Sequence, residues 1–145
     1  MSLESQKITP FLWFDNQAEE AAKYYVWIFK NSKILSTNPM VTAFQLDGVE
    51  FAALNGGPNF TFSEAVSFVI NCDGQEEVDY YRNALTANGG AESQCGWLKD
   101  KYGLSRQVVP VQLMTAMGNP DREKAQYAME QMMKMKKIVI TDLTA

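Results

Sequence analysis

The sequence predicts an α+β fold in which one module, strand, helix and then strands, is used twice. Three observations carry that prediction. First, Phe14-Asp15-Asn16-Gln17, followed by Glu19-Glu20 and Tyr24-Tyr25, has a counterpart in Cys72-Asp73-Gly74-Gln75, Glu76-Glu77 and Tyr80-Tyr81. The interval between copies shortens by one residue from Asp to Glu and by one more from Glu to Tyr. Asp and Glu collect at helix starts for dipole reasons, but a shared order of Asp-x-Gln, Glu-Glu and Tyr-Tyr points to duplication. Second, each copy follows an apolar strand-like run, Ile8 to Phe14 and Ala65 to Cys72. Third, helical spacing after each copy gives way to short apolar runs separated by turn residues.

The elements follow in order. Ile8 to Phe14 reads as a buried strand with Pro10 near its beginning. Asn16 is the expected N-cap, with Glu19 completing a capping-box pair. Ala18, Ala21, Ala22, Tyr25, Ile28 and Phe29 recur at helical spacing, a stripe suited to packing on a sheet, and the helix stops near Asn31. Lys33 to Thr37 and Met40 to Leu46 are strands joined by Asn38-Pro39, and Asp47-Gly48 is a hairpin signal into Val49 to Asn55. Gly56-Gly57-Pro58-Asn59 breaks the pattern between the halves.

The second half repeats this order. Ala65 to Cys72 is a strand, and Gln75 to Ala87 a helix ended by Gly89-Gly90. Glu92 to Leu98 and Leu104 to Val109 are strands around the turn Asp100-Lys101-Tyr102-Gly103, which leaves the third strand short or irregular. Val111 to Met117 is a short helix. Another runs from Asn119-Pro120-Asp121 to about Lys136, with Pro120 in a tolerated first-turn position. Its stripe of Ala125, Ala128, Met129, Met132, Met133 and Met135 suits gap-filling core or subunit contact. Ile138 to Ile140 adds a terminal strand. Module one spans about 7–58, module two about 64–110 and a helical extension about 111–145, within one domain.

The chain has 145 residues, 46% of them hydrophobic, enough to bury about 68–70% of its unfolded surface. A net charge of −4 offers no electrostatic footprint for nucleic acid or an anionic membrane. No apolar run reaches membrane-spanning length, and the polar start from Met1 to Lys7 is not a signal peptide, so a cytoplasmic protein is expected. Cys72 and Cys95 are too few for a disulfide framework or a cysteine metal cluster. There is no histidine, which removes the commonest metal ligand and the usual neutral-pH base.

Cys95-Gly96-Trp97-Leu98-Lys99-Asp100-Lys101-Tyr102-Gly103-Leu104-Ser105 resembles the PhnB-like family of the vicinal oxygen chelate superfamily. Ile8-Thr9-Pro10-Phe11-Leu12-Trp13-Phe14 and Leu54-Asn55-Gly56-Gly57-Pro58 support the resemblance, which covers Ile8 to about Ile140. It implies two βαβββ modules in a curved, mostly antiparallel, barrel-like sheet around a small-molecule cavity, the glyoxalase/bleomycin resistance fold, and a homodimer. Members often carry the label 3-demethylubiquinone methyltransferase, expected to be a misannotation. No Gly-rich loop opens a helix after the first strand to cradle a nucleotide-type cofactor, and none is expected. Two departures from the family matter. Ser36-Thr37-Asn38-Pro39 replaces a longer Gly-rich loop, and Arg106 stands where the pattern has Trp, so its charge is expected to face solvent, a partner or an anionic ligand.

Metal-dependent members of the superfamily place His, Gln or Glu on the first and last strands of each module. Here the matching place in module two is Gln107, and in module one it falls near Ala52, with Glu50 on the same face only if no bulge intervenes. A hard-ion site of carboxylates and amides stays conceivable; zinc, nickel or iron is poorly supported. The ligand-binding candidates on predicted strands are Trp13, Phe51, Asn55, Gln94, Trp97, Arg106 and Gln107. Each also has a plain structural role open to it: Trp13 and Trp97 as core, Asn55 as a cap, Gln107 bonded to backbone and Arg106 in a surface ion pair. Cys95 reads as a small buried hydrophobe, and the Glu pairs as solvated helix starts. Small-molecule binding without a metal leads, while metal-assisted lyase, isomerase or dioxygenase chemistry and a cavity-less scaffold stay open.

Overall fold

The computed structural model describes residues 6–145; the start from Met1 to Ser5 lies outside the described residues. The chain divides into two compact units, Met1–Thr61 and Phe62–Ala145, each built on one four-stranded sheet. The single barrel-like sheet expected from the resemblance is thus two sheets, neither of them closed.

The first unit runs β1 (Phe11–Phe14), α1 (Ala18–Ile28), β2 (Lys33–Thr37), β3 (Val41–Leu46) and β4 (Val49–Asn55). Its strand order is β1-β4-β3-β2, with β1 parallel to β4 and the other pairs antiparallel. Asp47 and Gly48 both have positive φ, 48° and 84°, the backbone that a tight hairpin with native twist requires. Asn38 Oδ1 accepts from the backbone N–H groups of Met40 and Val41, which turns the chain from β2 into β3. The α1 stripe Ala18, Ala21, Ala22, Tyr25 and Ile28 is buried on the sheet. Tyr25 packs over Phe44 at 6.3 Å between ring centroids, and Phe44 over Phe51 at 5.5 Å.

Helix α1 is not capped by Asn16. The cap position is Gln17, whose side chain makes no capping bond to the helix; Asn55 Oδ1 instead accepts from Ala18 N at 2.9 Å. Parallel pairing sets Phe14 beside Asn55, so the end of β4 lies where α1 begins.

The second unit runs β5 (Ser67–Cys72), α2 (Gln75–Thr86), β6 (Ala91–Glu92), β7 (Trp97–Lys99), β8 (Ser105–Pro110), α3 (Val111–Met117) and α4 (Arg122–Met133). Its order, β5-β8-β7-β6 with β5 parallel to β8, repeats that of the first. The strand expected from Glu92 to Leu98 is broken in two, β6 being the short one. Between the pieces Cys95 and Gly96 take positive φ, 58° and 87°. The Arg82 guanidinium, 2% exposed, donates to the carbonyls of Ser93, Gly96 and Trp97 and pairs with Glu92 at 2.8 Å. A side chain thereby satisfies carbonyls that a continuous ladder would have used.

The C-terminal segment differs from the expectation in three places. Asp121 caps α4 through Glu123 N, so Pro120 precedes the helix instead of occupying its first turn. The helix ends at Met133, short of Lys136. No strand forms over residues 138–140: the side chain of Ile138 is fully buried with Leu113 and Leu143, Gln75 bonds Ile138 O and Ile140 N, and a 3₁₀ turn follows over Ile140–Leu143. Met132 and Met135 pack against that cluster, whereas Met129 and Met133 are exposed. Among the described residues no helix is long and apolar enough to cross a membrane.

Candidate functional site

Strand register decides which side chains share a surface, because cross-strand partners point the same way and neighbours along a strand point oppositely. In the second sheet Trp97 is opposite Gln107, and Gln107 beside Val69. Ser67, Ser105 and Lys99 have the same parity. The other face carries Leu98, Arg106 and Phe68 in one row and Val108 with Ile70 in the next. That second face is the deeply buried one, with Leu98 and Val108 at 1% and 0% exposure. Trp97 and Gln107 are half-buried and Val69 exposed, so theirs is the open face.

Arg106 therefore faces neither solvent nor the open surface. It is buried, with its guanidinium 3.7 Å from the equally buried Asp100 carboxylate and over the Phe68 ring at 5.8 Å. Asp100 also accepts from the backbone of Tyr102 and Leu104, which fixes the turn before β8. Burial costs an unpaired charge far more than a paired one, so Arg106 is tolerated inside with the Asp100 carboxylate beside it. Gln94 likewise departs from the expectation: it lies in the turn after β6, exposed, and its carbonyl accepts from Trp97 N.

On the open face Gln107 Nε2 donates to Ser67 Oγ at 3.0 Å. Lys99 pairs with Glu64 at 2.8 Å, and that bond holds the Glu64 carboxyl below the usual carboxylate range. The Ser105 hydroxyl is buried and has no hydrogen-bond partner among the described residues. Ser67, Val69, Lys99 and Ser105 were not singled out by the sequence. Alternation from Gln107 points to Ser105, but Ser67 and Val69 join only through the parallel pairing of β5 with β8.

In the first unit Trp13 shares a face with Ala52, Leu54, Glu50 and Gln45, while Phe51 and Asn55 lie on the side covered by α1. Trp13 packs on Gly56, where a Cβ would come within 2.5 Å of the indole ring. Its Nε1 donates to Gly57 O at 2.9 Å, and Phe60 meets its edge at 4.8 Å. Phe51 belongs to the aromatic core, and the Asn55 amide bonds Ala18 N at one end and Pro39 O at the other. The β3–β4 register runs without a shift, so Glu50 does share the face of Ala52.

Cys72 is buried, which pushes its thiol up to about 12, and Cys95 is half-buried in a turn instead of fully buried as expected. Among the described residues no group of three His, Cys, Asp or Glu side chains is placed to hold a metal ion. At the last-strand positions of the superfamily pattern, Ala52 offers no donor in the first unit, and in the second the Gln107 amide is already bonded to Ser67. A separate cavity of about 480 Å³, lined by Asn119, Lys124, Tyr127 and Leu143 among others, lies between α3, α4 and the last residues.

Two sheets of this topology, each with one helix between its first two strands, define a class that solved structures share. A glyoxalase/bleomycin resistance protein from Albidiferax ferrireducens is 15% identical with a TM-score of 0.54, covering 70% of this chain and 95% of its own. A glyoxalase-related enzyme from Fulvimarina pelagi is 15% identical with a TM-score of 0.52, covering 72% and 88%. At that identity they show the fold alone. The family is narrower: the chain belongs to the family described as 3-demethylubiquinone-9 3-methyltransferase, whose profile matches residues 6–109. The PhnB protein of Bacillus cereus is 34% identical with a TM-score of 0.66, over 72% of this chain and 99% of that one. No curated protein matches the chain.

Proposed function

We propose that this chain binds a small molecule on the open face of its second sheet, without a transition metal, as a cytoplasmic homodimer. The observation that carries this reading is the pairing of Trp97 with Gln107 on a half-buried surface, next to a Ser105 hydroxyl that has no hydrogen-bond partner among the described residues. An aromatic wall with a few placed polar groups is how small-molecule sites are built. The lack of histidine and a Gln107 amide already bonded to Ser67 support metal-free binding. Exposed Met129 and Met133 on α4 support a subunit contact. The methyltransferase activity in the family's name is the least favoured reading, since the β1–α1 connection Asp15-Asn16-Gln17 has no glycine to admit a cofactor phosphate or carboxylate.

Native mass spectrometry of the purified protein tests the reading directly. A dimer carrying the mass of an organic compound and no metal is the expected spectrum. One divalent ion per subunit would replace the proposal with metal-assisted lyase, isomerase or dioxygenase chemistry. S-adenosylmethionine binding in calorimetry would restore the methyltransferase.

A further inference from the structure

The same face also bears on the charge of its ligand. Three groups decide it. Arg106, the cation at the family's Trp position, is turned to the buried face and placed against Asp100. Lys99, on the open face, is held by Glu64 at 2.8 Å. Gln107 gives its Nε2 to Ser67 Oγ, and among the described residues its Oε1 has no hydrogen-bond partner. An amide oriented in this way presents its acceptor.

Resting on the binding reading above, we propose that the Trp97–Gln107 pair selects an uncharged, planar ligand that donates a hydrogen bond from an N–H or O–H group. The ring lies on Trp97 beside Val69, and its donor meets Gln107 Oε1. A carboxylate in that place would meet an acceptor instead of a donor, with both nearby cations already engaged, and leaving a polar group unmatched costs more than a matched bond contributes.

The test compares 1-methylindole-3-acetamide with 1-methylindole-3-acetate, in which only the amide carries a donor, by two-dimensional NMR of the tryptophan side-chain N–H signals, assigned with Trp→Phe variants. The amide is expected to shift the Trp97 signal saturably and to bind about tenfold tighter than the acetate, the ratio that one matched hydrogen bond supplies. Gln107→Leu should lose about tenfold for the amide, with an unchanged Trp13 signal showing that the first unit is intact. Gln107→Glu keeps an acceptor and should gain affinity for tryptamine. Equal or tighter binding of the acetate at Trp97 overturns the selectivity while leaving the binding face in place. No shift of Trp97 with any of the three probes overturns both.

Discussion

The two units carry the same topology, yet they complete their outer strands differently. In the first, β2, β3 and β4 are 5, 6 and 7 residues long and close through a backbone ladder. In the second, β6, β7 and β8 are 2, 3 and 6 residues long. The missing ladder is replaced by a side chain and by the C-terminal segment. Arg82 supplies donors to three carbonyls, and Cys95 N and Gly96 N donate to Met135 O and Lys136 O. Gly96 makes room for Ile138: a Cβ there would stand 3.2 Å from its side chain. In the repeat, the residue after the Tyr pair is Val26 in the first copy and Arg82 in the second. One position thus separates a sheet held by its own backbone from one held by a guanidinium, and the satisfied hydrogen bonds, not the strand lengths, are what the copies have in common.

The largest expected effect breaks that contrast at its centre. Arg82→Met should destabilise the second unit by about 2–4 kcal/mol, because it strands the carbonyls of Ser93, Gly96 and Trp97, while the half-exposed Glu92 carboxylate stays in water. Urea unfolding followed at the Trp97 indole would show it; a loss below about 1 kcal/mol, the value of one ordinary bond, would refute the clamp. In the first unit Gly56→Ala should cost about 1–3 kcal/mol, since the new methyl must push the Trp13 ring away. The Trp13 side-chain signal should move while that of Trp97 stays.

A smaller loss sharpens the capping result. Asn55→Ala should cost about 1–2 kcal/mol by uncapping α1, whereas Asn16→Ala should cost a few tenths. The reverse order in thermal melts would return the cap to Asn16. The smallest effect is in pH. Arg82 holds the Glu92 carboxyl below its ordinary range, so the unfolded chain binds that proton at higher pH than the folded one does. The stabilisation is complete above the unfolded pKa of about 4.3 and lost as pH falls through the lowered folded value. Glu92→Gln should flatten the acid limb of stability against pH; an unchanged limb would mean that other carboxylates dominate it.

Much of the fold was legible because its signals are local. The Asp-x-Gln and Glu-Glu repeats mark the starts of α1 and α2, Asp47-Gly48 sets its hairpin, and Lys33–Thr37, Val49–Asn55 and Val111–Met117 form over the residues expected. The candidate site was legible only in part. Trp97 and Gln107 come together on one face, but Phe51 and Asn55 go to the α1 side, Gln94 to a turn and Arg106 to the interior. Alternation tells which residues of one strand face alike; it does not tell which strands lie side by side or where a bulge or turn resets the phase.

The sequence by itself determined the duplicated module, the order of its elements and the lack of histidine for any metal site, because periodicity, turn chemistry and composition are properties of the chain alone. Only the tertiary structure decided that Asn55 caps a helix begun 37 residues earlier, that Arg106 meets Asp100 inside, and that Ser67 aims the amide of Gln107. Each depends on parallel pairing or burial between distant segments, and the free energy of a polar group is set by the partner that pairing brings to it.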